Sequence, residues 1–266
     1  MSLSAPDRLA LVTGASGGIG EAFAHVLAAD GYALVLTARQ ERELNRVRGV
    51  IAAKHQVPVT VIAMDLGAAG ACDRLAAELA ARNLAPQLVV NNAGFGLTGP
   101  AAQLPAADQL AMIDLNIRAL TDLSLRFLPA MLARKSGGIV NVASTAAFMP
   151  GPNMAVYYAS KNYVLAFSDA LHEELKGTGV TVTTVCPGPV ATGFQHRAGM
   201  TSIKAMLGGG LTPADVAHQA IDGWKRGERM VVPGGMNKAI AYVMRGAPRR
   251  MILPLIRRVM ARAKGA

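Results

Sequence analysis

Tyr157 and Lys161 stand four residues apart in the run AVYYASKNYV, with Ser144 thirteen residues upstream of the tyrosine. If residues 156 to 176 form a helix, positions i and i+4 share a face, and the lysine ammonium reaches the neighbourhood of the phenol. A cation there favours phenolate. A free tyrosine titrates near ~10, and each unit of downward shift needs roughly 1.4 kcal/mol of preferential stabilisation of the anion. The trio therefore predicts proton transfer at neutral pH, with Ser144 holding the substrate oxygen that Tyr157 protonates. Tyr-x-x-x-Lys alone also occurs in many helices as a half-buried aromatic beside a solvated lysine, so the elements that would position the trio carry the argument.

The first of these is RLALVTGASGGIGEAFAHVLAADG, an apolar strand-like run from Leu9 to Thr13, a glycine turn and an amphipathic helix pattern. Such a strand-turn-helix predicts a nucleotide site. Gly14 permits the tight exit from the strand, Gly18 lets backbone approach a pyrophosphate, and Gly20 allows close packing of helix on sheet. Ser16 and Ile19 belong to the same predicted turn. Three residues separate the first two glycines, where the usual dinucleotide fingerprint has one.

The chain resembles the short-chain dehydrogenase/reductase family in its compact form. The resemblance rests on TGASGGIG at 13 to 20, Asp65 in MDL, NNAG at 91 to 94, Asn116 in DLNI, Ser144 in NVAST, Tyr157 with Lys161, and PGPVAT at 187 to 192, all in the family's order. It implies an enzyme with Asn116, Ser144, Tyr157 and Lys161 as a catalytic tetrad, Asn116 holding a water that links Lys161 to solvent as a proton relay. It also implies a nicotinamide cofactor bound by Gly14, Ser16, Gly18, Ile19, Gly20, Tyr157 and Lys161. Asp65 and Leu66 would lie at the adenine, Asn91, Asn92, Ala93 and Gly94 would support the adenosine half, and Pro187, Gly188, Val190 and Thr192 would flank the nicotinamide. Where the family places an acidic residue to select NAD, this chain has Ala38 followed by Arg39. A carboxylate there would bond the ribose diol and repel a 2′-phosphate, whereas Ala38 leaves room and Arg39 can pair with the phosphate, so NADP (NADPH) is the expected cofactor.

Strand-length apolar runs at 9 to 13, 33 to 37, 59 to 64, 87 to 91, 139 to 143, 180 to 186 and near 229 to 232 alternate with helical patterns at 18 to 30, 41 to 55, 69 to 83, 106 to 134, 156 to 176 and 213 to 226. Seven strands alternating with helices predict an α/β fold: a doubly wound, mostly parallel Rossmann sheet with helices on both faces. One domain is expected over residues 1–266, with 187–211 as a lid over the substrate and 234–266 as a basic helical C-terminal extension.

Cys72 and Cys186 read as small buried hydrophobes, and the five histidines show no ligand spacing, so no metal site is expected. The N-terminal run shows no secretory signal and no apolar stretch is long enough to span a bilayer, which points to the cytoplasm. Charge is uneven. Residues 1 to 228 carry 18 Lys/Arg against 17 Asp/Glu, while 229 to 266 carry 9 basic residues and no acidic one. In that tail Ile252, Leu255, Ile256 and Val259 follow helical spacing, with arginines largely opposite, in a helix starting near Pro254. Such a helix either packs its stripe on the domain or a second subunit, or makes peripheral contact with an anionic membrane. One aromatic, Tyr242, and no recognised motif argue against nucleic acid.

The expected chemistry is hydride transfer between the nicotinamide and a carbonyl or secondary alcohol of a hydrophobic small molecule, Tyr157 acting as acid/base. Two alternatives differ in class: a beta-ketoacyl carrier-protein-type reductase, whose basic patch would dock an acidic carrier, and a non-enzymatic NADP-binding redox sensor. The intact tetrad argues against the sensor. The tail after GERMVVPGGMNK argues against the carrier-protein enzyme, which usually ends soon after its last strand. Helices 106 to 134 and 156 to 176 resemble those that pair subunits in the family, which implies a homodimer or homotetramer.

Overall fold

The computed structural model describes residues 8–194, 198–199 and 210–263. Most of the expected lid, residues 195–197 and 200–209, lies outside the described residues, as do the side chains of Leu255 and Val259. Strands β1 (Leu9–Thr13), β2 (Ala33–Ala38), β3 (Val59–Ala63), β4 (Leu88–Asn91), β5 (Gly137–Val142), β6 (Val180–Val185) and β7 (Met230–Val231) form one sheet. Their order is β3-β2-β1-β4-β5-β6-β7, and every neighbouring pair is parallel. A parallel sheet is covered on both faces, which is why its strands are near-continuous aliphatic runs.

The covering helices are α1 (Gly18–Ala29), α2 (Glu41–Lys54), α3 (Ala71–Ala81), α4 (Ala106–Ile113), α5 (Leu120–Arg134), α6 (Ala155–Glu174) and α7 (Pro213–Lys225). Alternate residues of β1 feed two cores. Ala10 and Val12 join Phe23 and Leu27 of α1, Leu44 and Val47 of α2, and Val216 and Ile221 of α7. Leu9 and Leu11 join Leu75 and Leu79 of α3, Leu123 and Met131 of α5, and Leu171 of α6. Cys72 and Cys186 are free and buried.

Two features of the sequence reading need correction. The continuous helix expected over 106 to 134 is interrupted: α4 and α5 are separated by a π-helical stretch, Asp114–Ala119, that turns the buried Asn116 inward. The C-terminal extension forms two helices, α8 (Gly235–Gly246) and α9 (Arg249–Ala263), so the second starts well before Pro254. An interior proline removes one helical hydrogen bond. The flanking turns hold because Ile252 and Ile256 are buried, 4% and 5% exposed, against Met112, Met154 and Tyr157.

Candidate active site

The chain runs outward from β1 through β2 to β3 and then returns to place β4 beside β1, so the crevice for a ligand opens at the ends of those two strands. There the two motifs are bonded together. The Thr13 hydroxyl accepts from the backbone N–H groups of Asn92 (3.0 Å) and Ala93 (2.9 Å), and the Asn92 amide donates to the carbonyls of Thr13 (2.9 Å) and Gly14 (3.2 Å). Gly14 leaves the strand at φ 64, and a Cβ on Gly20 would sit 2.2 Å from the Gly14 carbonyl oxygen. Gly18, at φ 58 at the start of α1, faces Thr192, whose Cγ2 would lie 3.2 Å from an added Cβ. Ser16, Gly18 and Ile19 thus border the same opening as Val190 and Thr192. Beneath, Asn91 donates to Ser124 and Asn141, and Asn141 to Ser168, a buried polar chain tying β4 and β5 to α5 and α6.

Ala38 and Arg39, at the end of β2, lie on the rim beside Asp65 and Leu66. Asp65 accepts from the Gly67 N–H at 3.0 Å, and its other oxygen is 4.0 Å from the Arg39 guanidinium. Both side chains are more than half exposed, so this pair holds Arg39 only weakly.

At the opposite end of the opening, α6 presents Tyr157 and Lys161, and Ser144 follows β5. The Ser144 hydroxyl accepts from the Ala146 N–H and lies 3.5 Å from the Pro187 carbonyl. It is also hydrogen-bonded to Tyr157, which pulls the phenol's pKa down, but burial dominates and raises it to about 12. Lys161 does not lower it. Its Nζ donates to the Val142 carbonyl at 2.8 Å and stands 5.9 Å from the Tyr157 ring centre, and burial takes the ammonium down to about 8. The expected depression of the phenol by its i+4 lysine is not seen in this geometry, where the ammonium turns to the Val142 carbonyl. Asn116 Oδ1 accepts from the Phe95 N–H, and Nδ2 donates to the Phe95 carbonyl and the Ser160 hydroxyl. A Cβ on Gly94 would lie 2.9 Å from Asn116 Oδ1 and 3.6 Å from Lys161 Nζ, so both side chains converge on Gly94.

The model of the short chain dehydrogenase family matches residues 8–202, most of the chain and every motif above. The chain belongs to the short-chain dehydrogenase family. It is an oxidoreductase. It is 35% identical over 187 residues to the very-long-chain 3-oxoacyl-CoA reductase of Bos taurus, which covers 69% of this chain and 59% of that protein; the chain thus spans under two thirds of that relative's length. Its fold matches a short-chain dehydrogenase from Sphingobium yanoikuyae in complex with NADPH (TM-score 0.79, 28% identity, 91% of this chain and 97% of that one). It also matches one from Burkholderia phymatum in complex with NAD (TM-score 0.78, 27% identity, 88% and 92%).

In this short-chain dehydrogenase a single cavity of about 1030 Å³ runs from the glycine turn to Tyr157, touching Gly14, Arg39, Asp65, Asn92, Gly94, Ser144, Lys161, Pro187 and Gly188. Asn116 and Gly20 are not on its wall; the first buttresses Phe95 and the second lies under Gly14. Tyr158 does line it, with its ring packed on Gly151. The sequence reading missed the far wall. Phe95, Met149, Met154, Phe194, Met244 and Ile256 give that end an apolar lining, and Asn237 of α8 packs on Gly188. The signal for Ile256 was present in the helical stripe of the tail; its direction was set only by the surface it packs on.

Proposed function

We propose that this short-chain dehydrogenase is NADP(H)-dependent and interconverts a carbonyl and a secondary alcohol on a largely apolar small molecule, Tyr157 donating the proton in reduction. The observation that carries this reading is the buried Tyr157 phenol, hydrogen-bonded to Ser144 and kept protonated at neutral pH, facing a cavity continuous with the glycine turn. The residues fit a dinucleotide. Gly14 and Gly18 turn the backbone at positive φ on the cavity wall, a side chain at Gly20 would strike the Gly14 carbonyl beneath it, and the volume lies at the upper end of the roughly 300–1,000 Å³ of ligand pockets. When bound, NADPH supplies hydride to the carbonyl carbon.

The N-terminus of α1 at Gly18 would hold the pyrophosphate, with Ser16 and Ile19 beside it. Arg39, free of any strong partner, would take a 2′-phosphate that Ala38 leaves room for. Asp65 and Leu66 would border the adenine, Asn92, Ala93 and Gly94 the ribose, and Pro187, Gly188, Val190 and Thr192 the nicotinamide end. Tyr157 donates its proton to the substrate oxygen and Ser144 donates a hydrogen bond to the same atom. Lys161 remains largely cationic at pH 7 and, by the family resemblance, would hold the nicotinamide ribose hydroxyls. Asn116 positions Phe95 and Ser160 and, by the family resemblance, serves the proton relay.

The apolar far wall supports an apolar substrate, and the carbonyl compound in the bovine relative's name, a very-long-chain 3-oxoacyl-CoA, carries its oxo group on a long apolar acyl chain. Leu110 (60% exposed), Leu125 and Tyr163 on α4, α5 and α6 support a homo-oligomer. Cofactor titration combined with a screen of ketones of increasing alkyl length tests the reading. Tighter NADPH than NADH binding and rates that climb with chain length are expected. Equal affinities would overturn the NADP assignment, and reduction confined to small charged carbonyls would overturn the apolar substrate.

A further inference from the structure

The inner and outer faces of the C-terminal helix pair have different chemistry. On α8, Asn237, Ala241 and Met244 face the domain at i, i+4 and i+7, whereas Met236, Ile240 and Val243, one step around the helix, are 75%, 42% and 65% exposed. Met236 and Ile240 also line the cavity. The stripe therefore begins inside the substrate end of the pocket and continues onto the open surface, an arrangement that a pocket filled only from water has no reason to keep. On α9 the buried Ile252 is flanked by exposed Met251 and Leu253.

The charge on this helix pair is of one sign. Lys238, Arg245, Arg249, Arg250, Arg257 and Arg258 are all exposed, and among the described residues none of them makes an ion pair. The sequence from 230 onward offers no acidic residue to neutralise them. A helix pair that exposes aliphatic side chains and, among the described residues, only unpaired cations matches an anionic bilayer, whose headgroups take the charges while its acyl boundary takes the apolar stripe. No described helix is long and apolar enough to cross a membrane, so the contact is peripheral.

We propose that the outer face of α8 and α9 docks on anionic lipid bilayers and seats the cavity mouth at Met236 and Ile240 against the acyl boundary, so that the apolar carbonyl substrate enters from the membrane. Entry from the membrane rests on the substrate class proposed above; the docking itself does not. The tail is thus not a detachable anchor, because Ile252 and Ile256 hold it to the domain.

Co-sedimentation of the full chain with phosphatidylcholine vesicles, with and without phosphatidylserine, tests the docking without any turnover. The wild-type protein should sediment only with phosphatidylserine and be released by salt beyond the screening range. Arg245→Glu with Arg249→Glu and Arg250→Glu, and separately Val243→Asp, lie outside the cavity lining and should each cut the bound fraction at least about tenfold with unchanged melting temperature. Equal sedimentation with both vesicle types, or full binding by the charge-reversed variant, overturns the proposal. So does a wild-type dimer that Val243→Asp dissociates in the absence of vesicle binding, since it gives the face to a second copy of the chain. For entry, both variants should slow reduction of a long-chain ketone carried in the anionic vesicles while reducing a short, water-soluble ketone like wild type. Vesicle binding without any carbonyl reduction would instead sink the proposed function and leave the docking standing.

Discussion

Lys161→Met should stabilise the cofactor-free protein at neutral pH while removing a group the proposed chemistry needs. Lys161 is 5% exposed, and burial takes its ammonium from 10.5 to about 8, which corresponds to roughly 3 kcal/mol held against the cation at pH 7. Methionine fills similar space and has no charge to bury. Against this gain stands the 2.8 Å bond to the Val142 carbonyl, whose loss costs about 1 to 2 kcal/mol. The net is about 1 to 2 kcal/mol in the variant's favour, or roughly 2 to 8 °C in melting temperature for a chain of this size. The sign depends on pH. Between about 8 and 10.5 the unfolded chain still binds the lysine proton that the folded chain has released, so wild-type stability rises with pH across that window. The variant's advantage is full below pH 8 and gone by 10.5, where the missing hydrogen bond leaves it the less stable protein. Denaturant melts of both proteins at pH 7, 9 and 10.5 read this directly. A variant that is less stable at pH 7, by an amount that does not change with pH, would refute the claim that burial is held against the Lys161 charge.

Arg39→Ala should weaken NADPH binding by about 1 to 3 kcal/mol and leave NADH binding nearly unchanged in a fluorescence titration. Gly20→Ala, which in an ordinary helix would gain close to 1 kcal/mol, should instead destabilise the protein and weaken cofactor binding, because its Cβ meets the Gly14 carbonyl at 2.2 Å. A higher melting temperature for that variant would show that helix and turn are not in close contact. Ile256→Ala should cost about 2 to 4 kcal/mol in a thermal melt, and truncation after Met244 more, since the stripe it removes is buried. An unchanged melt after truncation would mean the tail is not packed.

Strand positions were legible because each is an aliphatic run that a parallel sheet buries on both faces, and the observed bounds differ from the expected ones only at the ends. The glycine turn and the Tyr157–Lys161 pair were legible for a similar reason: φ above zero at Gly14 and Gly18, and a shared helix face, are local properties. Contacts set by distant residues were not. Spacing placed Lys161 near Tyr157 but not the Val142 carbonyl, nineteen residues away, toward which its ammonium turns. The apolar periodicity of 106 to 134 continues through the π-helical stretch, in which Asn116 bonds to Phe95, twenty-one residues away. The stripe at Ile252 and Ile256 was visible as amphipathic, yet only the apolar end of the cavity decides that it faces inward.

Reduction of an apolar ketone, followed as loss of NADPH absorbance with wild type, Tyr157→Phe and Tyr158→Phe side by side, tests the central claim most directly. Both rings line the cavity, but the assigned proton donor is the one bonded to Ser144. Tyr157→Phe should lower kcat by at least about a hundredfold while NADPH still binds, and Tyr158→Phe should stay within about tenfold of wild type. Normal turnover by Tyr157→Phe, with or without a dead Tyr158→Phe, would contradict the assignment of Tyr157 as the proton donor.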